Sequence, residues 1–477
     1  MKFVLFNCHA EQFKHTLHNN VNTLLKIALA SLLVLSINVG HAIELRLDDA
    51  VKLAHANDPW LQQSGFIEQA MLSKSEAVAT LPSPSISLAL ANLPTDGFAT
   101  NQEPMTQLKT SISQMLPRGD SANIQRQQLS ILAQQQPLLR YDRQAQVAKM
   151  VSQLWLEAFR ADASMALIRK NQALFEQLRE IVNANYMSAL RKTRQQDILR
   201  AELELMRIED KLLSLKTSRN ENIFGLIRWL SANDSNYSLD IDEVTLPATL
   251  PSSLPLSSAL LLTLDQLAPD QLAQQLSRHP YLQSFDKRYA AGQTAVTLAE
   301  QKYQPQWGFN ASYGYRRDDQ IGNSRADFVS LGVSVDLPIF TQKNIDSEVS
   351  AAVNEAYAIE TEKRLVTRQF MAETNASIEK IKQLKARRLV YEAQILLQME
   401  QQSQAALTAF TSDDGDFGEV VRARIMQLNG ELDALNINID LFKEFANLRY
   451  YLAVVSHDEA VTPRLNMQFS QDESTSK

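Results

Sequence analysis

Two periodicities divide the chain. Steps of four and three residues separate Val147, Val151, Leu154, Ala158, Ala161, Met165 and Ile168. That spacing keeps one apolar stripe on one side of a helix and belongs to helices packed lengthwise. The stripe returns at Ile198, Ala201, Leu205, Ile208, Leu212 and Leu215. Between the runs, "SALRKTRQQD" (188–197) is polar and basic and reads as a turn. No glycine occurs from Asp120 to Phe224, and Pro137 is the only proline there, placed to kink the first helix. The pattern is written again further on. Ile425, Leu428, Leu432, Leu435, Ile439 and Phe442 follow the turn "TSDDGDFG" (411–418), and glycine is absent from Val333 to Asp414. Each outgoing helix would run about 65–70 residues, or roughly 100 Å. A compact core has no use for helices of that length.

The second periodicity is two. "PQWGFNASYGYR" (305–316) sets Trp307, Phe309, Ala311, Tyr313 and Tyr315 against Gln306, Gly308, Asn310, Ser312 and Gly314. "FVSLGVSVDLP" (328–338) sets Val329, Leu331, Val333, Val335 and Leu337 against Ser330, Gly332, Ser334 and Asp336. "PSISLALANLP" (84–94) does the same with Ile86, Leu88 and Leu90, and "QLKTSISQMLP" (107–117) does so more weakly. Strict alternation with aromatics on one face fits a lipid-facing barrel strand and equally a half-buried soluble hairpin.

The two halves are copies. Leu116-Pro117 and Leu337-Pro338 lie 221 residues apart, and the same offset lays Pro59 on Pro280, Trp60 on Tyr281 and Pro84 on Pro305. An offset of 222 lays "DILRAE" (197–202) on "EVVRAR" (419–424) and "RWL" (228–230) on "YYL" (450–452). With 15 prolines in 477 residues, a chance proline match has odds of roughly 3%, so three at one offset mark a tandem duplication. The expected organisation is a first repeat over 43–230, with strands at about 84–117 and a helical hairpin at about 119–230. A second repeat over 271–456 has strands at about 305–338 and a hairpin at about 341–456. Between them 231–270, rich in Pro, Ser and Asp, reads as an irregular linker, and 457–477 as a disordered tail.

Four strands cannot close a barrel, and open edges are not tolerated in lipid. If the strands enter a membrane, several chains must share one barrel. Three chains of four strands each give twelve, within the usual size range. The helices would then form a hollow cylinder attached to it.

Composition narrows the class. The formal charge is −7, with no basic stripe, so nucleic acid is not an expected partner. "LLKIALASLLVLSINVGHA" has a lysine, an apolar run and small residues at Gly40 and Ala42, the form of a signal peptide over 1–42. The only cysteine, Cys8, falls inside that leader, so the mature chain would have neither disulfide nor thiolate ligand. Only His55, His279 and His457 follow the leader, far apart, and no catalytic constellation or nucleotide-binding motif is present. No enzyme activity, metal site or cofactor is expected. His279 and Asp58 occupy matching positions before proline, where a capping role outweighs ligation. The scattered methionines read as packing.

The leader, the duplication, the strand pairs ending in Leu-Pro, the long glycine-poor hairpins and the "DILRA" and "EVVRA" returns together resemble the TolC-type outer membrane efflux family. The resemblance covers about 44–456. It implies a homotrimer with a twelve-stranded outer membrane β-barrel on a periplasmic α-helical tunnel. It also implies two partners: a periplasmic adaptor protein and an inner-membrane pump of the RND type. "QMLPRGD" is similar to the heavy-metal branch of that family, which tips the cargo toward metal cations ahead of a multidrug or type I secretion role. A soluble periplasmic coiled-coil adaptor is the competing class, but it should carry one hairpin rather than two equal repeats.

The same resemblance puts the adaptor contact at the hairpin tips. These are Arg191, Lys192 and Thr193 in the first half and Asp413, Asp414 and Gly415 in the second. One tip is basic and one acidic. Charge clusters of this kind are usually solvated turns, and pairing across a closed end is the alternative. The acidic entrance ring of some family members, an Asp-Val-Leu-Asp pattern, maps onto Glu419-Val420-Val421-Arg422, with Asp416 nearby, and the resemblance makes Asp416, Glu419 and Arg422 the entrance gate. Glu419 keeps the first acid and Arg422 replaces the second, leaving open whether Glu419 attracts cations into the mouth or pairs with Arg422 at i, i+3.

Overall fold

The computed structural model describes residues 43–187, 194–231, 244–254, 256, 258–412 and 415–454. The expected leader and tail lie outside them. The architecture is mainly helical with one four-stranded sheet, as the two periodicities require.

The first repeat opens with β1 (Ile43–Glu44), α1 (Leu47–Asn57) and α2 (Pro59–Val78), followed by strands β2 (Ser85–Ala91) and β3 (Gln107–Met115). Then come α3 (Ser121–Met187), of 67 residues, and α4 (Gln195–Leu230). The helix α3 runs unbroken through Pro137. After β4 (Val244–Thr245), α5 (Ser258–Gln266) and α6 (Pro269–Leu276), the second repeat supplies α7 (Pro280–Glu300), β5 (Gln306–Tyr315) and β6 (Phe328–Asp336). It closes with α8 (Gln342–Val390), a π turn at Tyr391–Ile395, α9 (Leu396–Thr411) and α10 (Phe417–Tyr451).

The repeat-related prolines start matching helices. Pro59 and Pro280 each occupy the first helical turn, where a missing N–H costs nothing. Asp58 caps α2 by accepting from the Trp60 N–H at 3.1 Å, and His279 caps α7 by accepting from the Tyr281 N–H at 3.2 Å. The other proline pair ends strands. The Leu116 N–H still donates to the Trp307 carbonyl, and Pro117, with no N–H, cannot continue the ladder.

The segment 231–270 is not irregular throughout. It contributes β4, which pairs in parallel with β1, and α5, and it leads into α6 at Pro269. Its serines and prolines hide an apolar pair, Leu261 and Leu264, that buries against Ile378, Ile381 and Leu384 of α8 and Ile437, Leu441 and Phe445 of α10. Burial of that face outweighs the loop-like composition. On the other side, Val244 and Leu254 join Trp155, Leu156 and Phe159 of α3 and Ile223 and Leu226 of α4. The Trp155 indole donates to the Leu45 carbonyl at 2.8 Å, tying down the start of the described chain.

The packing order defines a wall. The sheet runs β2-β3-β5-β6, all antiparallel. Next to it the helices contact in the order α2-α3-α7-α8, and farther away in the order α4-α3-α10-α9. The first repeat therefore forms one side of the wall and the second repeat the other. They join along β3·β5, α3·α7 and α3·α10.

Candidate functional site

The register shows which residues share each face of the sheet. The strand pairings put Ile86 beside Ile112 and Ala311 beside Leu331; they also put Tyr313 beside Thr110 and Val329. One face of the sheet is thus apolar across all four strands, and its large side chains are exposed in the single chain. The opposite face carries serine, glycine, asparagine and glutamine. A half-buried soluble hairpin would cover its apolar face, whereas among the described residues no helix packs extensively on it. The free edges of β2 and β6 are unpaired.

At the sheet's helical end, "LPRGD" forms a joint. Gly119 has φ +47°, a left-handed conformation that favours glycine. The Gln301 Oε1 accepts from the Asp120 N–H at 3.0 Å, Arg118 donates to the Gln304 carbonyl at 3.2 Å, and Arg118 is ion-paired with Asp336. The motif thus ties the start of α3 to the end of α7 and to β6. Architecture accounts for it without a metal.

At the far end of the helices, Arg191, Lys192, Thr193, Asp413 and Asp414 lie outside the described residues, so the pairing of basic and acidic tips is not visible. Gly415 is in place. A Cβ there would lie 2.8 Å from the Phe410 N, a close approach that only glycine allows. Phe410 and Phe417 meet across this turn with ring centres 5.6 Å apart, and both join a core with Phe175, Leu178 and Val182 of α3. Asp416 is the residue before α10 and makes no capping bond with its side chain. Arg422 and Glu419 approach at 3.9 Å with side chains 70% and 68% exposed. At that exposure the pair is weak, and the Glu419 charge stays available to solvent. Arg200 of α4 reaches the same place, its Nη1 lying 2.0 Å from where a Cβ on Gly418 would stand. No signal in the sequence singled out Arg200, Phe410 or Phe417.

Midway along the wall, polar groups bridge the repeats. The Tyr450 hydroxyl on α10 donates to Asp142 Oδ1 on α3 at 3.1 Å, and Gln146 donates to Asp142 Oδ2 at 2.9 Å. Burial raises the Asp142 pKa to about 6, against the lowering effects of the Tyr450 hydrogen bond and nearby Arg143. The His279 Nε2–H donates to the Tyr450 carbonyl at 2.9 Å, while its Nδ1 caps α7. Burial lowers the His279 pKa to about 4, so the ring is neutral at pH 7. Burial also pushes Lys149 downward. Among the described residues there is no cluster of three or more His, Cys, Asp or Glu placed to hold a metal ion, and no helix is long and apolar enough to cross a membrane.

No protein-family model matches the chain, and no curated protein matches it in sequence. Solved structures do match. The outer-membrane channel OprN is 14% identical, over 86% of this chain and 90% of that one, with a TM-score of 0.69. The outer membrane protein VceC of Vibrio cholerae is 14% identical over 86% and 96%, with a TM-score of 0.68. The open state of the Neisseria gonorrhoeae MtrE outer membrane channel is 14% identical over 88% and 93%, with a TM-score of 0.66. At such identities the likeness is one of fold, and it spans nearly the whole length of each channel.

Proposed function

We propose that this chain is one subunit of an outer membrane exit duct serving a tripartite efflux pump. The observation that carries the reading is the one-sided sheet: apolar on one face, polar on the other, open at both edges, and continuous with a wall of long helices. Such a sheet in lipid must close with other copies. The two edges differ, β2 and α4 on one side and β6 and α9 on the other, so copies join head to tail and form a ring. A homotrimer gives the twelve-stranded barrel. Exposed apolar residues gather on the edge helices, with Leu199, Leu203, Met206 and Leu213 along α4 and Leu397 on α9. The matched channels favour the same reading.

Leu203→Glu is expected to place a charge in that joint and leave monomers where the parent forms heat-modifiable trimers in the outer membrane fraction. Trimers in the variant would remove α4 from the joint, and a parent found only as a soluble monomer would overturn the duct.

The tips at 191–193 and 413–415 would meet a periplasmic adaptor, and Asp416, Glu419 and Arg422 would line the entrance. An inner-membrane pump, of the RND type by the sequence resemblance, would supply the energy. For the cargo we favour metal cations. A deletion strain is expected to become sensitive to copper, silver, cobalt, zinc or cadmium salts and to recover with the cloned gene. Sensitivity to lipophilic drugs alone would keep the architecture and move the cargo to the multidrug class.

A further inference from the structure

Within the paired strands, the polar face of the sheet carries two charged side chains, and they sit at opposite ends. Asp336 closes β6 at the helical end and is paired with Arg118. Lys109 lies on β3 near the loop end, with Ala89 on one side and Gly314 on the other as cross-strand partners. Neither neighbour has a side chain that could cover it. Among the described residues no carboxylate is within ion-pair distance of Lys109, and the lysine is only partly buried. The same row continues from Gly314 to Phe328. There Arg316 lays its guanidinium over the Phe328 ring at 3.9 Å and donates to the carbonyls of Ala326 and Pro104. Two cations per chain thus stand on the polar face at the loop end.

The acids nearby are occupied or lie farther out. Asp96 accepts from Gln102, Asp319 from Asn323, and Asp327 from Tyr313 and the Arg316 N–H. Glu103 and Asp318 stand in the loops beyond the strand ends. Below Lys109 the wall is uncharged until Asp336.

We propose that Lys109 is a specificity-determining residue at the outward end of the duct, where its copies form a ring that draws anions in and holds free cations back. This rests on the duct reading, because the ring exists only if the polar face lines a closed lumen. Rings of one sign in a low-dielectric wall concentrate the opposite ion. The field acts over a Debye length of about 10 Å at 0.1 M salt, comparable to the reach of lysines into a small barrel.

The test uses the full chain in planar bilayers, with inositol hexakisphosphate added to either compartment as a bulky polyanion. Block is expected from one side only. Lys109→Gln is expected to raise the half-blocking concentration by about tenfold or more, while Lys109→Arg keeps the parental value. Channels with equal block in parent and Lys109→Gln, or with no block, would overturn the ring and leave the duct standing. Purified protein that forms no channels would overturn the duct, and the ring with it.

Discussion

Replacing Phe370 with alanine is expected to cost about 3–5 kcal/mol, the range for deleting a fully packed aromatic. Phe370 on α8 meets His279 edge-on at 4.9 Å, Tyr451 at 5.2 Å and Tyr450 at 5.9 Å, and stacks with Tyr281 at 6.2 Å. These rings come from α7, α8 and α10, so one side chain holds three helices of the second repeat together. Leu272, Leu276 and Leu282 close the same cluster. The rings around Phe370 hold one another in place, since His279 meets Tyr450 and Tyr450 meets Tyr451, so the gap would be only partly filled. The check is chemical unfolding or the thermal midpoint of the assembled protein, with Phe370→Leu as the variant that keeps most of the volume. A loss below about 1 kcal/mol for the alanine variant would show that the cluster collapses onto the gap.

Asp142→Asn is expected to do the opposite at pH 7, raising stability on the order of 2–3 kcal/mol, and then to expose a hidden acid sensitivity. The Asp142 carboxyl has its pKa raised from 3.8 to about 6 by burial. The folded state therefore binds more protons than the unfolded one between those values, and this group's contribution falls as pH rises through them. His279 is the reverse. Its pKa is lowered from 6.5 to about 4, so the unfolded state binds more protons in that window and the contribution falls as pH drops from 6.5 toward 4. The two windows nearly coincide and the slopes oppose, which leaves the parent almost flat from about pH 4 to 6.5 as far as these groups decide it. The asparagine variant keeps only the His279 slope. Thermal midpoints measured from pH 4 to 7.5 should diverge at pH 7 and converge near pH 4. A variant profile parallel to the parent's would show that Asp142 is already protonated or solvated. Both groups act on Tyr450, one through its hydroxyl and one through its carbonyl.

Much of the architecture was legible because periodicity reports burial directly. The stripe from Val147 to Ile168 and the alternation from Trp307 to Tyr315 each name a face, and the register kept every one of those faces intact. Proline marked the repeat because it acts locally, at the first helical turn in Pro59 and Pro280 and at a strand end in Pro117. The capping role expected of Asp58 and His279 is the one the structure gives them. What the sequence hid was decided at long range. The helix Ser258–Gln266 is built from leucines set among serines and prolines, and only its neighbours α8 and α10 make it a helix. Asp142 shows as one more polar residue on a long helix until Tyr450, 308 residues away, donates to it. "LPRGD" suggested a cargo, yet its glycine answers to backbone geometry and its arginine to Asp336. Of the proposed tip and entrance residues, those at 191–193, 413 and 414 lie outside the described chain, and Gly415, Asp416, Glu419 and Arg422 are the ones in place.

The wall also has a genealogy. Its internal seam joins a first repeat to a second, and a ring of such chains would need a second kind of seam, joining a second repeat to the next first. An ancestral single-repeat protein would have closed the same ring from twice as many identical subunits, with every seam alike. Fusion made the seams alternate. One set would lie within a single polypeptide, where the core around Phe417 joins the repeats and Tyr450 crosses between them. The other set would be free to drift or loosen without risking the fold of the chain. A trimer of such chains would make a pseudo-sixfold cylinder with threefold freedom to open.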